Sequence, residues 1–303
     1  YPLYNSTFTT YRTSPLYHGA TPLLTNLEIH ARRLREVLAG DALRSAQLGG
    51  LYMPSGSLES CTWKLLGDES AWERAQEALA DGEEAVGLSP NEVRGIFVEV
   101  RYEKATHSAI LLGESNKTTL TPGFTSVPLL LVRMPAPLRE LFLSYLTTSF
   151  DTRISPMKLR SSFLTSMLET IVEQTQYSSQ DEDPSLNLAA LRKGVGLQLA
   201  FPSVVPHLKN LDISIAADDI AGFLSRGKPL WQHHQAQTQQ RVTNFRPSSP
   251  ITGPFTSSLS VYLNNHIVLT LDHPCVVVSK VVTGPFALAG EGKLKVTSSS
   301  TAA

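Results

Sequence analysis

Adjacent histidines, paired carboxylates and one glycine-lysine turn are where this sequence could carry chemistry. His233-His234 is the densest histidine pair. Neighbouring helical residues point about 100° apart, and no thiol or carboxylate stands close by in sequence. The pair therefore reads as a solvated loop or helix end, not as zinc ligands. His266 and His273, with Asp272 beside the second, flank an apolar run and read as surface residues at strand ends. Gly290-Glu291-Gly292-Lys293 shares its ending with a phosphate-binding loop. That loop needs Gly five residues before Gly292, where Ala287 stands, and Ser or Thr after Lys293, where Leu294 stands. Without them the backbone cradle and the magnesium-binding hydroxyl are both missing, and a β-turn is expected. No Gly-x-Ser-x-Gly elbow occurs, and no Ser, His and acid are singled out as a triad. Asp218-Asp219 stands where a helix should open, and a helix N-terminus stabilises such carboxylates by roughly 0.3–1 kcal/mol without any catalysis. Asp181-Glu182-Asp183 reads as a solvated loop. No catalytic, cofactor-binding or metal-binding residue is expected. The competing reading is a hydrolase or transferase whose site is assembled from dispersed residues.

Binding offers more. Arg32, Arg33, Arg35 and Arg44 gather on and after the first helix, diluted by Glu28 and Glu36. Arg153, Lys158 and Arg160 form a second group with no acid between Asp151 and Glu169. Such groups can neutralise phosphates without reading bases. Arg153, Lys158 and Arg160, and secondarily Arg32 and Arg35, are the candidates for DNA or an acidic partner. The C-terminal stretches Ser260–Leu263, Ile267–Leu271 and Val276–Val282 are β-branched and nearly uncharged. A strand among them at a sheet edge would expose unpaired backbone groups to a partner strand. Val261, Leu263, Ile267, Leu269, Val276 and Val278 are the candidate edge residues; complete pairing within the chain is the competing reading.

The elements that must position these groups follow from 303 residues, 42% hydrophobic and 17% charged, with a formal net charge of −1. That is room for one large domain or two modest ones, with no global basic field. No apolar run approaches the roughly 20 residues that span a bilayer, and no charged start precedes an apolar signal core. The chain opens on Tyr1-Pro2 instead of Met, which reads as a trimmed start. Cys61 and Cys275 lack metal-ligand spacing; reduced intracellular thiols are the simpler reading, one buried disulfide the other.

Tyr4 to Tyr11 reads as a strand. A capping box at Thr25–Glu28 opens a helix to Ala39, with Leu27, Ala31, Leu34 and Leu38 inward and Gly40 as its stop. A short helix is expected over 69–80, a hairpin over 93–112 around Glu103-Lys104, and a strand over 127–132. Pro137 starts a helix with Leu138, Leu141, Phe142 and Tyr145 inward. Ser155-Pro156 reads as the cap of a longer helix with Leu159, Phe163, Met167, Leu168 and Ile171 as its stripe. A polar loop follows over 176–184. Strands are expected over 195–201 and 211–216, the second leading into the helix at Asp218. A helix fragment and loop then cover 231–254, and strands cover 258–263, 267–271, 275–282 and 294–298. The fold class is α+β: a mixed or antiparallel sheet with flanking helices and a sheet-rich C-terminal third. An N-terminal α/β region over 1–135 and a C-terminal one over 136–303 are expected, or one continuous domain.

Three segments carry a resemblance in this order: Phe8-Thr-Thr-Tyr-Arg-Thr-Ser-Pro-Leu-Tyr17; Val127-Pro-Leu-Leu-Leu131 with Tyr145 to Phe150-Asp-Thr-Arg-Ile-Ser-Pro156; and Leu211-Asp-Ile-Ser214 with its helix leading to Trp231. Together they resemble the centromere protein L (CENP-L) family over about residues 4–298, closest to its filamentous-fungal branch. The resemblance implies a non-enzymatic scaffold of the inner kinetochore, in the nucleus at the centromere, with no cofactor. It implies a heterodimer with a CENP-N homologue through C-terminal β-structure. It also implies membership of the constitutive centromere-associated network, on CENP-A nucleosomes and centromeric DNA, with no membrane partner. A homodimer through the same edge is the expectation when the partner is absent.

Overall fold

The computed structural model of the chain describes residues 1–47, 56–80, 88–89, 92–113, 122–177, 194–202, 208–240 and 249–298. It has the expected α+β class, built on antiparallel strands, and it divides into two compact units. The first comprises Tyr1–Leu3 and Phe8–Met157, the second Tyr4–Thr7 and Lys158–Ala303.

In the first unit the elements run β1 (Ser6–Thr13, entering from Phe8), β2 (Leu16–Tyr17), α1 (Leu27–Gln47), β3 (Leu58–Leu66), α2 (Glu69–Ala80), β4 (Gly95–Tyr102), β5 (Ala105–Leu112), β6 (Phe124–Thr125), β7 (Leu129–Arg133), α3 (Ala136–Phe150) and β8 (Ile154–Pro156). Its antiparallel sheet has the order β8-β1-β7-β5-β4-β3; β2 and β6 form a separate pair. The expected hairpin closes at Glu103-Lys104, with Tyr102 facing Ala105. The predicted stripe of α1 is buried in full, Leu34 completely, and it packs with Leu138, Phe142 and Tyr145 of α3 over Ile96, Val98 and Val100 of β4. Trp72 of α2 meets Phe97 edge-on at 5.7 Å. Phe97 alternates with Ile96 and Val98 along β4, so α2 covers the opposite face. Helix α1 runs through Gly40 to Gln47, correcting the stop read at that glycine. A helix tolerates one interior glycine at a cost of about 1 kcal/mol.

In the second unit come α4 (Ser161–Tyr177), β9 (Val195–Ala200), β10 (Asn210–Ile215), α5 (Ala217–Gln240), α6 (Pro254–Ile267), β11 (Val277–Val282), β12 (Phe286–Ala289) and β13 (Lys293–Val296). The sheet order is β10-β9-β11-β12-β13. The N–H of Asn5 donates to the Val296 carbonyl at 2.7 Å, joining Tyr4–Thr7 to β13. One face carries Val195, Leu197, Leu199, Val278 and Val281, buried under α4, α5 and α6. Gly227 of α5 lies so close to the Pro254 carbonyl that a Cβ there would collide with it, so this glycine permits the approach of α5 and α6.

Ser155-Pro156 does not cap a helix. It lies in edge strand β8, where Pro lacks only an N–H that the edge can spare, and the helix begins at Ser161. The buried stripe of that helix is Leu164, Leu168 and Val172, while Phe163 and Met167 are exposed. Residues 258–263 are helical and belong to α6, and 267–271 is no strand. Helix α5 is also continuous through Trp231 to Gln240, longer than the fragment expected. Of the loop expected over 176–184, Gln176 and Tyr177 end α4, and 178–184 lie outside the described residues.

A buried carboxylate joins α4 to α6. Glu169, 5% exposed, accepts hydrogen bonds from Phe255 N (3.1 Å), Thr256 N (2.7 Å) and Thr256 Oγ1 (2.6 Å). It thereby occupies the N-terminus of α6, whose first N–H groups have no partner inside the helix. Burial pushes its pKa above the ordinary 4.5, against the pull of these hydrogen bonds.

Candidate partner-binding surfaces

The predicted edge residues do not share an edge. Val261 and Leu263 sit on α6, Val261 outward and Leu263 buried; Ile267 is the last residue of α6 and is exposed. Leu269 follows the helix, packed against the core, and Val276 precedes β11. Val278 lies in β11 opposite Leu199 of β9, and its N–H donates to Ser161 Oγ at 3.0 Å, so it is no open edge residue. The β-branched, nearly uncharged composition read as strand is outweighed by Phe255, Leu259 and Leu263 at helical spacing, opened by Pro254 in the first turn.

The unpaired edge of this unit is β10. Among the described residues it pairs with β9 alone. Phe201 N–H donates to the Lys209 carbonyl at 3.1 Å. Alternation along an antiparallel pair then directs the N–H and C=O groups of Leu211, Ile213 and Ile215 to β9. Those of Asn210, Asp212 and Ser214 point away from it. The side chains obey the same period: Ile215 is buried, Leu211 and Ile213 lean on the core, and Asn210, Asp212 and Ser214 are exposed.

The second surface is the sheet face opposite the core of this unit. A shallow groove of about 720 Å³ crosses β9, β11, β12 and β13. Lys280 faces Ala289 and Lys295 faces Ala287 in register, so long cationic side chains rise beside small neighbours. Lys293 joins them, held by Glu291 at 2.8 Å. Gln198 donates to Asp212 at 2.9 Å on the same face. The sequence reading missed this lysine group. Its signal was the alternation Lys293-Leu294-Lys295-Val296, a strand with one cationic face.

Of the predicted basic candidates, Arg153 in the first unit and Lys158 and Arg160 in the second are all exposed. Arg32 and Arg35 are exposed on α1, where Arg35 also donates to the Glu59 carbonyl at 3.1 Å.

The remaining reactive groups are accounted for structurally. Asp218 and Asp219 lie in the first turn of α5, as read. Gly292 N–H donates to the Ala289 carbonyl at 2.9 Å in the turn between β12 and β13, as expected of that glycine-lysine segment. His233 and His234 are exposed on α5, with His234 stacked on Trp231 at 5.5 Å. His266 lies in the last turn of α6 beside Tyr262, and His273 Nδ1 accepts from Cys275 N, so neither flanks a strand as expected. Both cysteines are free thiols, and burial pushes the Cys61 thiol up to about 11. Among the described residues no three His, Cys, Asp or Glu converge as a metal site, and no helix is long and apolar enough to cross a membrane.

A family model described as "CENP-L: Centromere protein L" matches residues 2–303. No curated protein matches the chain.

Proposed function

Because the chain belongs to the centromere protein L family, whose members are structural kinetochore subunits, we propose that it is a non-enzymatic inner-kinetochore scaffold that pairs with a CENP-N homologue through strand β10. The observation that carries this reading is the open edge itself. Asn210, Asp212 and Ser214 offer backbone donors and acceptors outward from a strand whose other side is fully paired with β9. An added strand would satisfy them, as in β-augmentation. The pair then serves the constitutive centromere-associated network in the nucleus, on CENP-A nucleosomes. The lysine face, Lys158 and Arg160 in the second unit and, separately, Arg32, Arg35 and Arg153 in the first contribute phosphate contacts to centromeric DNA that are independent of sequence.

Co-expression with the CENP-N homologue, followed by size-exclusion chromatography with light scattering, tests the pairing. A 1:1 complex is expected from the wild type. Ser214→Pro removes one outward N–H without touching a bond to β9 and is expected to abolish the complex while the free chain stays folded. Two separate peaks with a folded partner, or an undiminished complex with Ser214→Pro, would overturn the proposal. For the DNA contact, replacing Lys280, Lys293 and Lys295 by Ala should flatten the log–log salt dependence of duplex binding by the complex by up to about 3. An unchanged slope rules out the lysine face as a DNA contact.

The same open edge favours a second reading for the isolated chain: two copies pairing β10 antiparallel across a two-fold axis. Light scattering of the chain alone distinguishes monomer from dimer.

A further inference from the structure

Ser155-Pro156 is left without the role of helix cap, and its surroundings fit another. Six Ser/Thr-Pro steps occur in the chain, and only Ser155-Pro156-Met157-Lys158 places a basic residue three positions after the hydroxyl. The steps at 14, 21, 89, 121 and 249 have Tyr17, Leu24, Glu92, Phe124 and Thr252 there. A hydroxyl followed by Pro and then by a cation at the third position is the pattern that one class of proline-directed protein kinases selects. Pro fits a pocket that needs no backbone N–H, and the cation meets an acidic patch.

The structure adds what the pattern alone lacks. Ser155 is exposed and extended in a three-residue strand paired on one side only, to β1. It makes none of the side-chain bonds that engage Ser14, whose Oγ accepts from Arg153 N at 2.9 Å and meets Thr152 Oγ1 at 3.1 Å. Arg12 is the register partner of Ser155 across the strand pair and is itself exposed. Directly opposed residues have Cβ atoms about 5 Å apart on one face, so an anion on Ser155 would stand within reach of the Arg12 guanidinium. Arg153, two residues earlier and exposed, adds a second positive charge.

We propose that Ser155 is a phosphorylation site for a proline-directed protein kinase, with Lys158 as the selecting cation and Arg12 as the group that receives the phosphate. The kinase transfers the γ-phosphoryl group of a nucleoside triphosphate. A bond forms between Ser155 Oγ and phosphorus, the bond to the bridging oxygen breaks, the diphosphate leaves, and the serine proton passes through the kinase's base to solvent. The product carries about −1.5 to −2 charges and accepts charge-assisted hydrogen bonds from Arg12.

The test uses the full chain, a purified cyclin-dependent kinase and ATP, read by intact mass and by mapping of the phosphopeptide. Phosphate is expected on Ser155 of the wild type, and Lys158→Ala should slow its incorporation there by about tenfold or more, the size of one lost charge contact. Ser155→Ala should lose that phosphate with an unchanged melting temperature. If Ser155→Ala does not fold, the wild-type map and the Lys158→Ala rate still decide. No phosphate on Ser155 while a control substrate is modified, or an undiminished rate with Lys158→Ala, overturns the assignment.

Discussion

Removing the carboxylate of Glu169 should unfasten α6 from α4. In Glu169→Ala, the N–H groups of Phe255 and Thr256 lose their acceptor in a site where Phe255 and Thr256 are both fully buried. Each unsatisfied buried N–H costs about 1–3 kcal/mol. Thr256 Oγ1 keeps the Gly253 carbonyl as acceptor at 3.2 Å and so loses less. Offset against this is relief from burying a group whose ionised form is disfavoured. A net loss of about 3 kcal/mol follows, which for a unit of this size lowers the melting temperature by roughly 6–12 °C. The pH dependence has a definite sign. The folded pKa of Glu169 lies above the ordinary 4.5, so the folded state binds more protons. The carboxyl group's stabilisation is therefore complete below about pH 4.5 and is lost as pH rises through the raised folded value. Thermal melts of wild type, Glu169→Ala and Glu169→Gln between pH 4 and 8 read both effects. Glu169→Gln should flatten the slope, and it should also destabilise because its amide donors face the N–H of Phe255. An Ala variant that melts with the wild type, or a wild-type slope of opposite sign, would exclude this role for Glu169.

Two further outcomes follow from the described geometry. Val268 closes α6 in the left-handed region at φ 55, where a β-branched side chain is strained, and it is 85% exposed. Val268→Gly should raise stability by about 1 kcal/mol in urea titration, and a destabilised variant would contradict the strain. Cys61, with its thiol pushed up to about 11, should hold only roughly 0.1% thiolate at pH 8 and alkylate far more slowly than a free model thiol. Rapid labelling of Cys61 in the native protein would show that the burial is wrong.

Where one periodicity dominated, the fold was legible. Leu27, Ala31, Leu34 and Leu38 repeat at helical spacing, and all four are buried. Alternation over 93–112 and 195–216 located β4, β5, β9 and β10. The reading failed where side-chain chemistry is consumed by a distant partner. Glu169 looks like an outward residue of α4 until α6 arrives to be capped by it; it is buried with Leu164, Leu168 and Val172, while Phe163 and Met167 are exposed. In α6 itself, Ser257, Ser258 and Val261 resemble a strand by composition, although Phe255, Leu259 and Leu263 hold the helical period. The open edge could not be read from local pattern, because edge and interior strands share it. Only strand order separates β10 from β11. The same limit hid the lysine face, which forms when β11 and β13 are brought to either side of β12.

Pairing through β10 is best tested by backbone amide hydrogen exchange, resolved to single residues, in the chain alone and in its complex with the CENP-N homologue. Asp212 and Ser214, whose N–H groups point away from β9, should exchange freely in the monomeric chain and become protected in the complex. Leu211 and Ile213 should be protected in both. A stable 1:1 complex in which Asp212 and Ser214 still exchange at their free rates would place the interface elsewhere and contradict pairing through β10.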